Sequence, residues 1–128
     1  MLPRRIICAM LLLMTALVIL GCDGGNKYVA LVKNGTMQME PNIKIGQAFG
    51  DFFGNPKWEY FKSTDGQKVV EFNGECTWLG EEAHCTIQFI INSETTFELG
   101  AVEINGQGMN VVDSASILHK ALTNKDEW

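Results

Sequence analysis

The side chains able to do chemistry are few: four cysteines, two histidines, two serines near the C-terminus and a scatter of acids. Cys76 and Cys85 bracket the segment ECTWLGEEAHC. A two-residue turn at Gly80-Glu81 sets Trp78 against Ala83, Thr77 against His84 and Cys76 against Cys85. The cysteines then occupy a non-hydrogen-bonded site, where Cα atoms approach to about 4.5 Å, near the short end of the disulfide range. The spacing predicts a Cys76–Cys85 disulfide on this register. A turn at Leu79-Gly80 would shift the register by two, leaving the cysteines on one face as diagonal neighbours that are harder to bridge. His84 falls on the opposite face from both, so no metal site is expected. Ser114 and Ser116 have no visible base, and His119, next to Leu118, reads as the flank of a helix. Gly106-Gln107-Gly108 lacks the strand-to-helix setting of a phosphate loop, and no zinc-protease, nucleophile-elbow, P-loop or dinucleotide motif is present. Glu81-Glu82 sits in a turn and Glu71 and Glu75 on a polar strand face. A carboxylate pair depends on the fold and is not visible here. The inventory predicts no catalytic residue, no cofactor and no enzymatic activity.

The remaining thiols, Cys8 and Cys22, lie in a different context. Met1–Arg5 is short and positive, Ile6–Leu20 is uncharged and apolar, and Gly21-Cys22-Asp23 follows. A basic start, an apolar run of about 15 residues and a small residue at the cut form the pattern of a removable signal peptide. The run is shorter than the roughly 20 residues of a comfortable membrane span. Ile19-Leu20-Gly21-Cys22 resembles the lipobox of bacterial lipoproteins. That resemblance implies cleavage before Cys22, a diacylglycerol on its thiol and an acyl chain such as palmitate on its amine. Two or three chains suffice for stable anchoring, since each buried methylene contributes about 0.8 kcal/mol. It places the protein on a membrane of the cell envelope, facing the periplasm, and Asp23 after the lipidated Cys22 favours the inner over the outer membrane. The expected organisation is a signal peptide over 1–21, a polar tether over 22–27 and one domain over 28–128. That compartment is oxidising, which favours the disulfide.

The chain has 128 residues, 46% hydrophobic and 20% charged, as expected of one globular domain. Arg4 and Arg5 are its only arginines and leave with the leader. Residues 22–128 then hold 8 Lys against 15 acids, a net charge of −7. Nucleic-acid binding is driven by Lys and Arg neutralising phosphates, so no nucleic-acid partner is expected.

The elements that must position these residues follow from periodicity. Residues 28–32 are too short a run to assign. Ile45, Ala48, Phe49, Phe52 and Phe53 recur at helical spacing behind Pro41-Asn42, with Asn42 as cap and Gly54-Asn55-Pro56 as stop. The aromatic stripe predicts a helix packed on a sheet. Lys57–Lys62 leads into the turn Ser63-Thr64-Asp65-Gly66, and a three-residue loop ending at Gly66 pairs Trp58 with Phe72, Tyr60 with Val70 and Glu59 with Glu71. Val70, Phe72, Gly74, Cys76 and Trp78 alternate with polar residues. So do Ala83, Cys85, Ile87, Phe89 and Ile91, giving a sheet with one dry and one wet side. A fourth strand is expected over 95–104. Val111, Ala115, Leu118 and Leu122 predict a final helix over about 110–123, capped by Asn110 with Asp113 three residues on. A β-hairpin at Asn105-Gly106 is the rival. The expected fold is α+β, a four-stranded antiparallel meander with an N-terminal and a C-terminal helix on one face.

The segments VKNG, PNIKIGQAFGDFFGNPKW, DGQKVVEFNGE, TIQFII and FELGAVEING, over roughly residues 29–110, resemble an uncharacterised family of small exported bacterial proteins, which implies no activity. The architecture is also similar in outline to small envelope modules such as β-lactamase-inhibitor-like and assembly-factor-like lipoproteins, a likeness of fold alone. The expected function is a membrane-anchored, non-catalytic module that binds an unknown envelope protein. The alternative is a small-ligand-binding or hydrolytic domain with its pocket between the first helix and the sheet. Polar residues clustered in that groove would favour the alternative; a wholly apolar groove would favour the binder.

Overall fold

A computed structural model describes residues 26–123. The leader, Cys8, Cys22 and Asp23 lie outside the described residues, as do the last five positions. The elements run α1 (Lys27–Lys33), α2 (Ile45–Phe52), β1 (Gly54–Lys62), β2 (Lys68–Trp78), β3 (Glu81–Ile91), β4 (Phe97–Ile104), β5 (Gln107–Gly108) and α3 (Val111–Thr123). The strands form one antiparallel sheet in the order β1-β2-β3-β4-β5. The α+β meander is as expected. Its detail differs by one short strand and one short helix.

The extra helix, α1, starts where the Asn26 side chain accepts hydrogen bonds from the backbone N–H groups of Tyr28 and Val29. Asn26 and Lys27, expected in the tether, are therefore its cap and first residue. The extra strand, β5, arises because Asn105 and Gly106 both adopt positive φ, 53° and 84°. That is the geometry of a two-residue hairpin turn. Turn and helix thus coexist: the chain reverses at Asn105-Gly106, pairs briefly, and then enters α3 behind Asn110, whose side chain accepts from the Asp113 N–H at 2.7 Å. The cap expected at Asn42 is corrected. Pro41-Asn42 form a turn, and α2 begins behind Lys44 without a side-chain cap.

The β1–β2 register is as expected, with Glu59 opposite Glu71. The β2–β3 register is the rival one: Trp78 pairs with Glu81 and Gly74 with Cys85, around a turn at Leu79 (φ 54°) and Gly80 (φ 84°). The wet face explains this. The observed register sets Glu71 beside Gln88, Asn73 beside Thr86 and Val69 beside Ile90. The expected one would have put Glu71 opposite Ile90 and Val69 opposite Asn92. Polar pairing across the strands therefore outweighs the left-handed conformation of Leu79, which costs about 1–2 kcal/mol.

All three helices pack on one face. Phe49, Phe72, Phe89, Ile45, Ile87, Ile117 and Leu118 are fully buried between the layers. Gly74 is a close-approach position: a Cβ there would lie 2.7 Å from the Phe53 Cβ and 2.9 Å from the Phe72 ring. Two core expectations are corrected. Phe52 is only half-buried, packed edge-on against Phe53. In α3 the buried residues are Ser114, Ile117, Leu118, Lys120, Ala121 and Leu122, while Val111 and Ala115 are exposed. The helix is rotated so that Ile117, and not Ala115, enters the core.

Candidate functional site

The period-2 alternation that buries Val70, Phe72, Ile87 and Phe89 sends their neighbours to the other side of the sheet. Among the described residues no helix packs on that side, since the single core cluster lies wholly on the other. The open face carries a connected polar ladder. Asn73 donates from Nδ2 to Glu71 Oε2 at 2.9 Å and accepts at Oδ1 from Thr86 Oγ1 at 2.7 Å. His84 Nε2 lies 2.8 Å from the same Asn73 oxygen. Gln88 Nε2 donates to Glu71 Oε1 at 2.7 Å. Both Glu71 oxygens are thus held by amides from two strands, and charge-assisted bonds of this kind are stronger than neutral ones.

Glu59, on β1, faces this carboxylate. Burial, then the charge of Glu71 and a hydrogen bond with it, raise the Glu59 carboxyl above its ordinary range. The two form a carboxylate pair, at the positions the expected β1–β2 register set opposite each other, on the open face and not beneath a helix. Below them lies an apolar set on the same face. Val69 pairs with Phe61 on β1 and Ile90 on β3 and is only 4% exposed. A bulge between Gln88 and Phe89 leaves Gly100 beside Ile90, where a Cβ would lie 2.9 Å from Ile90 Cγ1. The signals were present in the sequence: Phe61, Val69 and Ile90 are the apolar residues that break the polar phase of their strands.

Cys76 and Cys85 are both free thiols, diagonal across β2 and β3 and not directly opposite. The expected register, which set the two directly opposite each other, is thereby corrected. Directly opposite positions suit a disulfide, whereas diagonal neighbours have Cα atoms about 7–8 Å apart. The two sulfurs still interact. The hydrogen bond from Cys85 holds the Cys76 thiol below its ordinary pKa, and the same contact plus deeper burial pushes Cys85 up. The His84 side chain is on the opposite face, as expected. His119 and Ser116 are exposed on α3, and Ser114 Oγ donates to the Met109 carbonyl at 3.4 Å. None of these joins the ladder.

The groove between α2 and the sheet is filled by aromatic rings. Phe49 lies 4.9 Å from Phe72, 5.4 Å from Phe53 and 5.9 Å from Trp58, centroid to centroid. Trp58 and Phe53 each sit 4.9 Å from Phe72. The residues of α2 that face the sheet, Ile45, Ala48 and Phe49, are all apolar and buried. Compared with family models, curated proteins and solved structures, the chain matches none.

Proposed function

We propose that this chain is a lipoprotein held through acylated Cys22 on the periplasmic side of an envelope membrane, the inner one by virtue of Asp23. There it acts as a non-catalytic module that binds an envelope protein on the open face of its sheet. The observation that carries the choice of binder over catalyst is the groove under α2. It is closed by the rings of Phe49, Phe53, Trp58 and Phe72, with no carboxylate, imidazole, hydroxyl or ammonium group among them. The polar side chains that folding gathers around Glu71 stand on the opposite face, spread over β1, β2 and β3. A pre-bonded ladder beside half-buried apolar residues is a surface suited to a protein contact, in which apolar anchors are ringed by polar groups. A Cys76–Cys85 bond belongs to the same reading: the two thiols share one face of the sheet as diagonal neighbours, and closing the bond in an oxidising compartment takes a local shift of β2 against β3.

Two measurements test the proposal. Mass spectrometry of the mature N-terminus is expected to find Cys22 as residue one, carrying acyl chains; an intact leader refutes the anchor. A photoreactive side chain placed at Thr86 or Gln88 is expected to give one saturable protein adduct in cells, while Ser116, on α3, gives none. Equal labelling from both faces refutes the docking surface. The Glu59–Glu71 pair supports a second reading, hydrolysis. It requires a turnover that Glu59→Gln abolishes.

A further inference from the structure

The charge of the domain is unevenly placed. Residues 26–123 hold seven lysines, no arginine and twelve acids. The strand registers decide where these stand. Six of the acids fall on the open face of the sheet: Glu59 opposite Glu71, Glu75 opposite His84, Glu82 opposite Thr77, Glu98 opposite Ile90 and Glu103 opposite Thr86. Lys57, opposite Asn73, is the one lysine of that face among the described residues. The face therefore has a formal charge of −5. The other described residues hold six lysines and six acids and are neutral together. The whole net charge of residues 26–123 thus stands on one side of one sheet.

The same face carries an apolar row. Phe61, Val69 and Ile90 pair in sequence across β1, β2 and β3, and the two outer side chains are half-buried. From Val69 to Thr77 the face runs eight residue steps, roughly 27 Å, and its four strands span about 14 Å. That footprint of roughly 400 Å² is half of the roughly 800 Å² that each partner buries in a standard stable interface. It suits one segment of a partner and a reversible contact. Charge selects among occupants. A second copy of the chain would set this face against its like or against sides of no net charge. An anionic bilayer repels it. A polyamine or a metal ion would answer the glutamates and leave the row of Phe61, Val69 and Ile90 uncovered. A basic protein segment answers both.

We infer that the open face receives a lysine- and arginine-rich segment of another protein, its cations against the six glutamates and an apolar side chain on the row of Phe61, Val69 and Ile90. The inference rests on the proposed docking at the open face and deepens it by naming the chemistry of the partner. Opposite charge of this kind steers encounter and fixes register, and its effect fades with salt. Glu59 and Glu71 sit at the inner border between the acids and the apolar row. A cation placed against them offsets the repulsion that each exerts on the other.

The full-length product is purified in a non-ionic detergent, so that no lipid charge competes. The probes are dye-labelled, end-capped peptides of about ten residues, long enough to span the face when extended. One alternates Lys with Thr and ends in Phe-Ile; a second ends in Ser-Ser; a third carries Glu in place of Lys. Anisotropy titration at low salt is expected to show saturable binding of the first, about threefold weaker binding of the second and none of the third. Raising salt to about 0.15 M is expected to weaken the first about tenfold. Glu75→Lys with Glu98→Lys should weaken it about fivefold or more, whereas Asp51→Lys with Glu81→Lys, an equal change of net charge away from the face, should stay within about twofold. Circular dichroism confirms each fold, and Glu82→Lys alone, at an exposed position, repeats the test with about a twofold loss. No saturable binding of the lysine peptide, equal binding of the glutamate peptide, or equal losses in the two double variants overturns the inference. The photoreactive side chain at Thr86 reads the docking face separately. An adduct from Thr86 and none from Ser116, on a partner peptide whose acids outnumber its Lys and Arg, overturns the basic partner and leaves the docking face standing. Equal labelling from both overturns the two together.

Discussion

Replacing Glu59 by Gln tests whether the open face carries the stored repulsion that its geometry implies. Glu59 is half-buried opposite Glu71, and its carboxyl pKa is raised. Between the ordinary carboxylate range and that raised value, the folded chain holds a proton that the unfolded chain has released. Stability therefore falls as pH rises through this window and is restored below it. Glu59→Gln removes the titration and supplies an amide that can donate to Glu71. Like charges directly opposite on a sheet are destabilising by roughly 0.2–1 kcal/mol. Solvent reaches Glu59, which places the effect toward the lower end. For a domain near 100 residues this corresponds to a rise of about 1–8 °C in melting temperature. The assay is thermal melting of both proteins from about pH 4 to pH 8. The variant is expected to be more stable at neutral pH, with the two curves converging in acid. Glu71→Ala should do the opposite, lowering stability by about 1 kcal/mol, because Asn73 and Gln88 lose a charged acceptor. Parallel pH curves for wild type and Glu59→Gln would refute the argument, as would a gain of stability in Glu71→Ala.

Phe49→Ala should cost about 3–5 kcal/mol, since the ring is fully buried and touches Phe53, Trp58, Phe72 and Phe89; urea denaturation measures it. Leu79→Gly should raise stability by about 1 kcal/mol, because Leu79 holds a φ of 54° and is 72% exposed, so nothing packed is lost; an unchanged or lower denaturation midpoint argues for the other turn. In the reduced protein, iodoacetamide should modify Cys76 well before Cys85, the more buried and less acidic thiol, as peptide mapping would show. After mild oxidation neither thiol should react, and equal rates in the reduced protein would contradict the contact between them.

The strands, the β1–β2 register and the aromatic floor were legible because each is written in local periodicity or in a turn of fixed length. What escaped was set by partners distant in sequence. The β2–β3 register depends on Glu71 meeting Gln88 and Asn73 meeting Thr86, pairs that no turn rule weighs. Helix α1 is only about two turns long and is held by Tyr28 against Tyr60, Lys68 and Glu94, so seven residues of propensity alone could not announce it. The rotation of α3 has the same origin. Val111, Ala115, Leu118 and Leu122 keep a helical period, but Ile117 and Ala121 join Leu118 and Leu122 in the core and leave Val111 in solvent. Of the candidate site, the polar phase and the facing of Glu59 and Glu71 could be read, whereas the ladder that joins them to His84 required the register.

The nearest-neighbour order of the sheet also has a kinetic consequence. Every pair in β1-β2-β3-β4-β5 joins consecutive strands across a short turn, so each hairpin can form without closing a long loop. Low contact order of this kind favours rapid folding. The exception is the segment made first. Tyr28 finds Glu94 only across 66 residues of chain, so α1, although first in sequence, docks after the β3–β4 turn exists. Until then Val32 and the rings that Tyr28 covers remain open to water, and α1, like α3 on α2, is locked in place only when distant parts of the chain have met.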